Sequence, residues 1–584
     1  HREKVKNRKK SNWIFCTKFS LSLRKHHVKG GGKIFKKFSK NFKSHFPSPP
    51  SEKVFKKERT PYWKKFCFSC IIQFRVFCVF LRILGAGTME DSKDLRIAVV
   101  GGGISGLSAA LYCQEHFPDG HGSVSVFEKR ERLGGVLNTE LRDGFEIEQS
   151  ADNFITTVPY GLDLCRRLGL ESDIVTTTPR NRQTFILWKD RLHKLPDGFM
   201  MMAPSKWWPM AVTRLLSPFG KLRAAMEYFI PAKKGDDDES MESFAVRRLG
   251  RQVFDRLIEP LVSGVYAADM TRLSLLATLP RFREMEKKHG SLIRAMRKNC
   301  AEMKKKARQE KKKNGTSTQN ADTRQSGPRY NLFVTVKGGL GRITSEIEKR
   351  LDPQTVYCRT EVTQMTQTES GKWLLSWCSA EDGRTESAEF DAVILAGESH
   401  NIARLLDTAQ VKRPAELLGG IEHTGTVILT AAFRREDIGH PLDGMGAVVP
   451  AKEKNPILAL SFSSEKYPHR APEGTVLLRI FSGGSRDPKI VDMPEEEVRD
   501  LLLEKMANCL KIQGSPLMTS ISRWPNTMPQ FHLGHLERIA ELEKEMEAYP
   551  TLGVAGNSLT GVGIPHCIHS GEEAARKVLA ALER

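Results

Sequence analysis

The stretch Leu95–Glu128 reads L-R-I-A-V-V-G-G-G-I-S-G-L-S-A-A-L-Y-C-Q-E-H-F and closes on S-V-S-V-F-E. Ile97 to Val100 is a short apolar run rich in β-branched residues, which predicts a buried parallel strand. Gly101-Gly102-Gly103-Ile104-Ser105-Gly106 follows, and Leu107, Ala110 and Leu111 then repeat at helical spacing. This is G-x-G-x-x-G between a strand and a helix, the setting in which it cradles a dinucleotide. Gly101 allows the turn, Gly103 lets a pyrophosphate approach the backbone, and Gly106 lets helix and strand pack closely. The helix start adds free N–H groups and a positive dipole end. Val124 to Phe127 reads as a second strand, and Glu128 closes it about 20 residues past the glycines, where an acid binds ribose hydroxyls.

Two further stretches agree with that reading. Arg132-Leu133-Gly134-Gly135 follows Glu128 directly, and Val554-Ala555-Gly556-Asn557 through Gly561-Val562-Gly563-Ile564 repeats the strand–glycine–helix design. The fold class expected is α/β: a Rossmann-type dinucleotide-binding domain, a mixed-sheet substrate domain and a helical entry domain.

The formal net charge of +22 over 584 residues points first to nucleic acid or an anionic membrane. Its distribution removes the first of these for the folded part. Residues 1–88 hold 23 Lys+Arg and 3 Asp+Glu, leaving 68 and 66 of the totals of 91 and 69 for the rest. The leader is Lys-rich and aperiodic, and the first methionine is Met89. Residues 1–88 are expected to be a disordered upstream extension with Met89 as the start, or a basic targeting segment. Beyond the leader, seven scattered cysteines form no C-x-x-C pair and read as reduced thiols of the cytoplasm, with no metal site.

Pattern changes divide the remainder. Residues 89–178 form the first nucleotide-binding segment, ending in a hairpin at Leu137–Glu148, the run Ser150-Ala151-Asp152-Asn153 and a helix from Tyr160. Residues 179–300 are read as mostly helical. There Met200-Met201-Met202, Trp207-Trp208 and Phe219 alternate with Lys206, Arg214 and Lys221. Such a pattern suits a Met-rich core, or an apolar mouth resting on a membrane. Residues 301–330 are Lys-rich, then polar, and are expected to be a disordered insertion. Residues 331–405 return to the nucleotide domain, 406–525 supply the substrate-domain sheet, and 526–584 close the nucleotide domain.

Several motifs resemble the FAD-dependent protoporphyrinogen and coproporphyrinogen oxidases of the amine-oxidase-like flavoproteins. They are Arg247-Arg248-Leu249-Gly250, Glu259-Pro260-Leu261-Val262-Ser263-Gly264-Val265-Tyr266-Ala267-Ala268-Asp269, Lys337-Gly338-Gly339-Leu340 and Gly561 to Ile568. The resemblance implies FAD held by Gly101, Gly102, Gly103, Ile104, Ser105, Gly106, Glu128, Arg132, Gly135, Val136, Val362, Asn557, Val562, Gly563 and Ile564. It implies six-electron oxidation of a porphyrinogen, with O2 reduced to H2O2, in haem synthesis. Hand-over of the product to a chelatase and peripheral membrane contact through the helical part are also implied. Asp152 and Asn153 are the candidate catalytic residues, expected beside the flavin ring. His566 stands where the family suggests Asp. Cys567 suits a buried structural thiol, or a flavin attachment. Gln183-Thr184 resembles the soluble coproporphyrinogen oxidases, while Asn181-Arg182 nearby leaves protoporphyrinogen IX open as substrate. An amine oxidase, a carotenoid desaturase or a non-enzymatic binding protein on the same fold would share the glycine loop but lack the G-V-Y-A run.

Overall fold

Alternating burial along each strand builds the first sheet. Ile97 and Val99 enter one apolar cluster with Leu107, Ala110 and Ile568, while Ala98 enters another with Trp373, Phe390 and Leu406. Both faces are covered, as a parallel sheet requires. The computed structural model describes residues 95–583 apart from 118–120, 180–182 and 315–331. The leader 1–88, the pair Asn181-Arg182 and most of the expected insertion therefore lie outside the described residues.

The sheet has five parallel strands, in the order Val356–Tyr357, Gly122–Phe127, Leu95–Val100, Ala392–Ala396 and Leu552–Ala555. Helices Ile104–Glu115 and Ile564–Leu582 pack on each other over one face. Small residues allow the approach. A Cβ on Gly571 would lie 2.0 Å from the Ser105 carbonyl oxygen, and one on Gly106 would lie 1.9 Å from that of Gly101.

The second sheet has seven strands, ordered Met518–Pro529, His423–Arg434, Thr475–Gly483, Ile457–Phe462, Gly446–Val448, Thr184–Trp188 and Arg191–Lys194. Two domain boundaries change as a result. The hairpin Thr184–Lys194 was expected within the helical part 179–300, yet Thr184 to Ile186 pairs in parallel with Gly446 to Val448 and extends the sheet. The strand Met518–Pro529 crosses the expected boundary between 525 and 526. Its sequence hides it, because Pro525 and half-buried polar residues interrupt any alternation. Proline is tolerated at this sheet edge, and the register shifts between Thr424 and Thr426 opposite it.

The helical part packs Met202, Met210, Met241, Phe244 and Leu257 into its own core. Its last helix, Leu292–Asn314, runs into the segment 301–330 that composition marked as disordered. Ala, Lys, Glu, Arg and Gln are all good helix formers, so low apolar content there did not preclude a helix continued from a buried start at Leu292.

A fully buried ion cluster joins this part together. Arg248 donates through Nε to Glu227 Oε1 at 2.9 Å and through Nη1 to the Ile230 carbonyl at 2.9 Å. Glu227 in turn accepts from Ser291 Oγ at 2.6 Å and the Leu292 N–H at 2.7 Å, anchoring the long helix. Arg248→Met should cost about 3–5 kcal/mol, because it strands a buried carboxylate. Adding Glu227→Gln should return part of the loss. Unfolding midpoints of the single and double variants check this, and equal midpoints for Arg248→Met and the unaltered protein would refute it.

Candidate functional site

The glycine loop stands where the sequence put it, and each glycine has a visible reason. Gly101 has φ +111, and a Cβ there would lie 1.7 Å from the Ala396 carbonyl oxygen. Gly103 is the opposite case: a Cβ on it would meet nothing within 4 Å, because it faces open space. It begins helix Ile104–Glu115 with no side-chain cap and no acidic residue in the first turn. Gly563 begins helix Ile564–Leu582 in the same uncapped way. The first end is left with N–H groups that lack helical partners, whereas at the second Pro565 has no N–H and His566 and Cys567 donate to the Gly563 carbonyl, which leaves the Ile564 N–H; both present a positive dipole end.

Glu128 is buried, and its carboxylate is already positioned. Oε2 accepts from the Gly102 N–H at 2.7 Å and Oε1 from the Arg130 N–H at 2.9 Å. These bonds fix its place at the mouth of the loop, as ribose binding needs.

One cavity of about 570 Å³ collects almost all of the sequence-predicted residues. That volume suits a cofactor site. Gly102 and Arg132 are outside its wall. Gly102 is backed by the Leu133 side chain, 2.5 Å from where a Cβ would stand. Arg132 turns inward and donates to the Leu133 carbonyl at 2.9 Å and the Gly135 carbonyl at 3.0 Å. It braces the Gly134-Gly135 turn, and Lys129 and Arg130 stand in the wall instead. Arg130 also lies over the Trp524 ring, 5.4 Å from its centroid.

The cavity is lined by the loop and Glu128, by Ser150–Asn153, and by the apolar Ile428, Leu458 and Phe481. The cations in its described wall are Lys129, Arg130 and Arg404, and Arg404 is paired with Glu361 at 2.8 Å. Gln183 stands outside the wall and spends its amide on the Thr184 and Leu195 carbonyls at 2.8 and 3.0 Å. His566 is also outside the wall. Cys567 is in the wall, but burial pushes its thiol up to about 12, so the thiolate that a covalent attachment would need is scarce. Among the described residues no group of three or more His, Cys, Asp or Glu is placed to hold a metal ion.

Asp152 and Asn153 do line the cavity, but Asp152 is no free carboxylate. Asn153 Nδ2 donates to its Oδ1 at 2.6 Å and Ser461 Oγ to its Oδ2 at 3.2 Å. Lys466, Arg479 and Arg470 surround it at 3.5, 3.6 and 3.9 Å. Burial alone would raise its pKa, but these three cations outweigh burial and hold the carboxyl far below the ordinary range. A carboxylate held so firmly does not take up a proton, so Asp152 is an anchor and not a base. Sequence reasoning missed its three partners. Arg479 carried a signal, being a charge inside the apolar strand T-V-L-L-R-I-F-S-G.

The family model of flavin-containing amine oxidoreductases matches residues 104–579. A coproporphyrinogen III oxidase of Bacillus subtilis strain 168 is 34% identical over 498 residues, covering 85% of this chain and 100% of that protein. The chloroplastic protoporphyrinogen oxidase of Nicotiana tabacum is 30% identical over 506 residues, covering 84% and 87%. A crystal structure from Exiguobacterium sp. 255-15, assigned as a protoporphyrinogen oxidase, superposes with a TM-score of 0.71 at 28% identity, over 84% of this chain and all of that one. UDP-galactopyranose mutase, at 15% identity and a TM-score of 0.61, shares the fold alone.

Gly103→Val fills the one direction in which the loop is open. The variant should fold, since a Cβ there meets no protein atom within 4 Å, yet lose bound flavin. Flavin absorbance per chain and the thermal midpoint of apoprotein test the two halves separately. Full flavin occupancy in the variant would remove this loop from the site.

Proposed function

The chain belongs to the flavin-containing amine oxidoreductase family, and from that membership we propose that it oxidises a porphyrinogen to a porphyrin with bound FAD and O2. The observation that carries the reading is the single cavity joining the dinucleotide loop to an apolar chamber lined by both sheets. FAD supplies the two-electron acceptor, and three turnovers give one porphyrin and three H2O2 from one porphyrinogen and three O2. The residues present fit that group. Glu128 meets the ribose hydroxyls, and Gly103 with the uncapped N–H groups at Ile104 to Gly106 takes the pyrophosphate. Val562 and the second uncapped helix end, Gly563-Ile564, line the same cavity and would hold the flavin from that side. Ile428, Leu458 and Phe481 exclude water from the reacting face. No dedicated base is assigned, because aromatisation of the macrocycle drives loss of its protons.

Coproporphyrinogen III is the preferred substrate in this reading, on the likeness to the Bacillus subtilis protein. Its carboxylates stay at the cavity mouth, marked by the exposed wall residues Val265 and Phe333. An unpaired carboxylate in the apolar chamber would cost several kcal/mol. The expected preference over protoporphyrinogen IX is about tenfold in kcat/KM, or 1.4 kcal/mol. Porphyrin fluorescence appearing from each colourless substrate measures it. A higher value for protoporphyrinogen IX reverses the preference, and no fluorescence from either, with FAD bound, removes the reading.

The helical part carries a surface suited to a membrane. Trp207 and Phe219 are 72% and 84% exposed, Trp208 and Phe229 are also exposed, Lys206 directly precedes Trp207, and Lys221 lies between Phe219 and Phe229 in sequence. Among the described residues no helix is long and apolar enough to cross a bilayer, so contact is peripheral. The protein should cosediment with anionic vesicles and lose that binding in Trp207→Ser/Phe219→Ser. Cosedimentation of the variant at the level of the unaltered protein would discount this face.

A further inference from the structure

Behind the cavity wall at Ser150–Asn153 lies a cluster of buried charge contributed by the other sheet. Arg470 and Arg479 have no exposed surface. Arg479 projects from the strand Thr475–Gly483, and Lys466 and Arg470 come from the turns that precede it. The carboxylates facing this set are unevenly placed. Glu146 and Glu148 sit on the Arg470 side, each 3.4 Å from its guanidinium, with His469 a further 3.5 Å from Glu146. They are also engaged elsewhere: Glu146 accepts from the Gly338 N–H, and Glu148 accepts from the Leu340 N–H and Thr139 Oγ1, each at 2.8 Å. Burial pushes Glu148 upward in spite of Arg470, which weakens its hold on a negative charge. Among the described residues Asp152 is the one carboxylate within 4 Å of Arg479 and of Lys466, and Glu148 acts on Arg479 from further off. Arg479 Nε and Nη1 make no hydrogen bond, and its guanidinium stacks 5.0 Å from the ring of Phe481, a cavity residue. Charge at this end of the cluster is therefore incompletely neutralised, in surroundings of low dielectric.

The same arginines orient the wall. Arg479 Nη2 donates to the Ser150 carbonyl at 2.5 Å, and Arg470 Nη2 to the Asp152 carbonyl at 2.7 Å. A trans peptide sets N–H opposite C=O. With both carbonyls turned into the cluster, the N–H groups of Ala151 and Asn153 turn the other way, to the side on which these residues line the cavity.

We propose that Lys466, Arg470 and Arg479 are positioning residues that make the Ser150–Asn153 wall electropositive toward the flavin ring and so raise the reduction potential of the bound cofactor. The ring gains two electrons and one proton from a substrate C–H bond, and with them one negative charge. It returns the two electrons to O2, which leaves as H2O2 with that proton and one from solvent. Positive charge and two N–H dipoles beside the ring favour the charged, reduced state over the oxidised one. Asp152 holds the cations in place and moderates the effect. The inference rests on the flavoprotein reading and on the ring lying against Ser150–Asn153. Its test needs no substrate, so its failure would leave the porphyrinogen assignment standing.

The test is the two-electron midpoint potential of the FAD-loaded protein, by equilibration with a reference dye, beside the FAD dissociation constant and thermal midpoint. Arg479→Met should shift the oxidised-to-reduced ratio at least tenfold toward oxidised, about 30 mV lower for a two-electron couple. Arg479→Lys should recover most of that shift. Asp152→Asn, which removes a negative charge but keeps the shape, should move the potential upward. Opposite signs are the signature, since structural damage would not distinguish the two changes. If Arg479→Met does not fold or keep FAD, Lys466→Met decides, because it removes a charge with one 3.5 Å contact. An unchanged potential in whichever of Arg479→Met and Lys466→Met retains FAD, or shifts of the same sign from cation and carboxylate removal, overturns the proposal.

Discussion

Two helix ends, at Gly103 and Gly563, open onto one cavity without a side-chain cap between them. Their N–H groups need an acceptor, and an anionic dinucleotide answers that need better than water. The rest of the nucleotide domain holds these ends in place. Their strands, Leu95–Val100 and Leu552–Ala555, flank Ala392–Ala396 in the parallel sheet. The helices lie against each other at Gly571, where a Cβ would stand 2.0 Å from the Ser105 carbonyl oxygen, so only a missing side chain permits the contact. The loop is open only where Gly103 faces the cavity, so tight packing around it and free space in front of it are two sides of one arrangement.

The second sheet completes the site by gripping the first domain. Ser150–Asn153 belongs by sequence to the nucleotide segment, yet its carbonyls and its one carboxylate are held by Lys466, Arg470, Arg479 and Ser461. Burying this much charge has a desolvation cost, so the cluster adds little net stability for the contacts it makes. What it supplies is a fixed wall. The Arg248–Glu227 cluster plays a comparable part in the helical region, joining a helix end to a turn across more than 20 residues.

Local chemistry was legible. Strand, glycine turn, helix and Glu128 follow one another within one short stretch, so their relative placement is decided by neighbouring residues and by steric limits at Gly101 and Gly106. The repeat at Asn557–Ile564 was readable for the same reason. Side-chain direction was not. Arg132, the arginine the motif singled out, satisfies carbonyls of its own turn, and Arg130 lines the cavity. The helix to Asn314 and the strand with Pro525 were misjudged because composition and alternation say little where a buried start or a sheet edge decides.

By itself the sequence determined the strand–glycine–helix loop, the carboxylate that closes the next strand and the family to which the motifs belong. The tertiary structure decided what Asp152 is. Its partners lie about 300 residues away, at Ser461, Lys466, Arg470 and Arg479, and no local pattern ties them to it. A carboxylate's state depends on the charges within a few ångströms, whatever their distance along the chain. Only the folding of the second sheet against the first brings those charges there, and with them makes Asp152 the anchor of a buried wall.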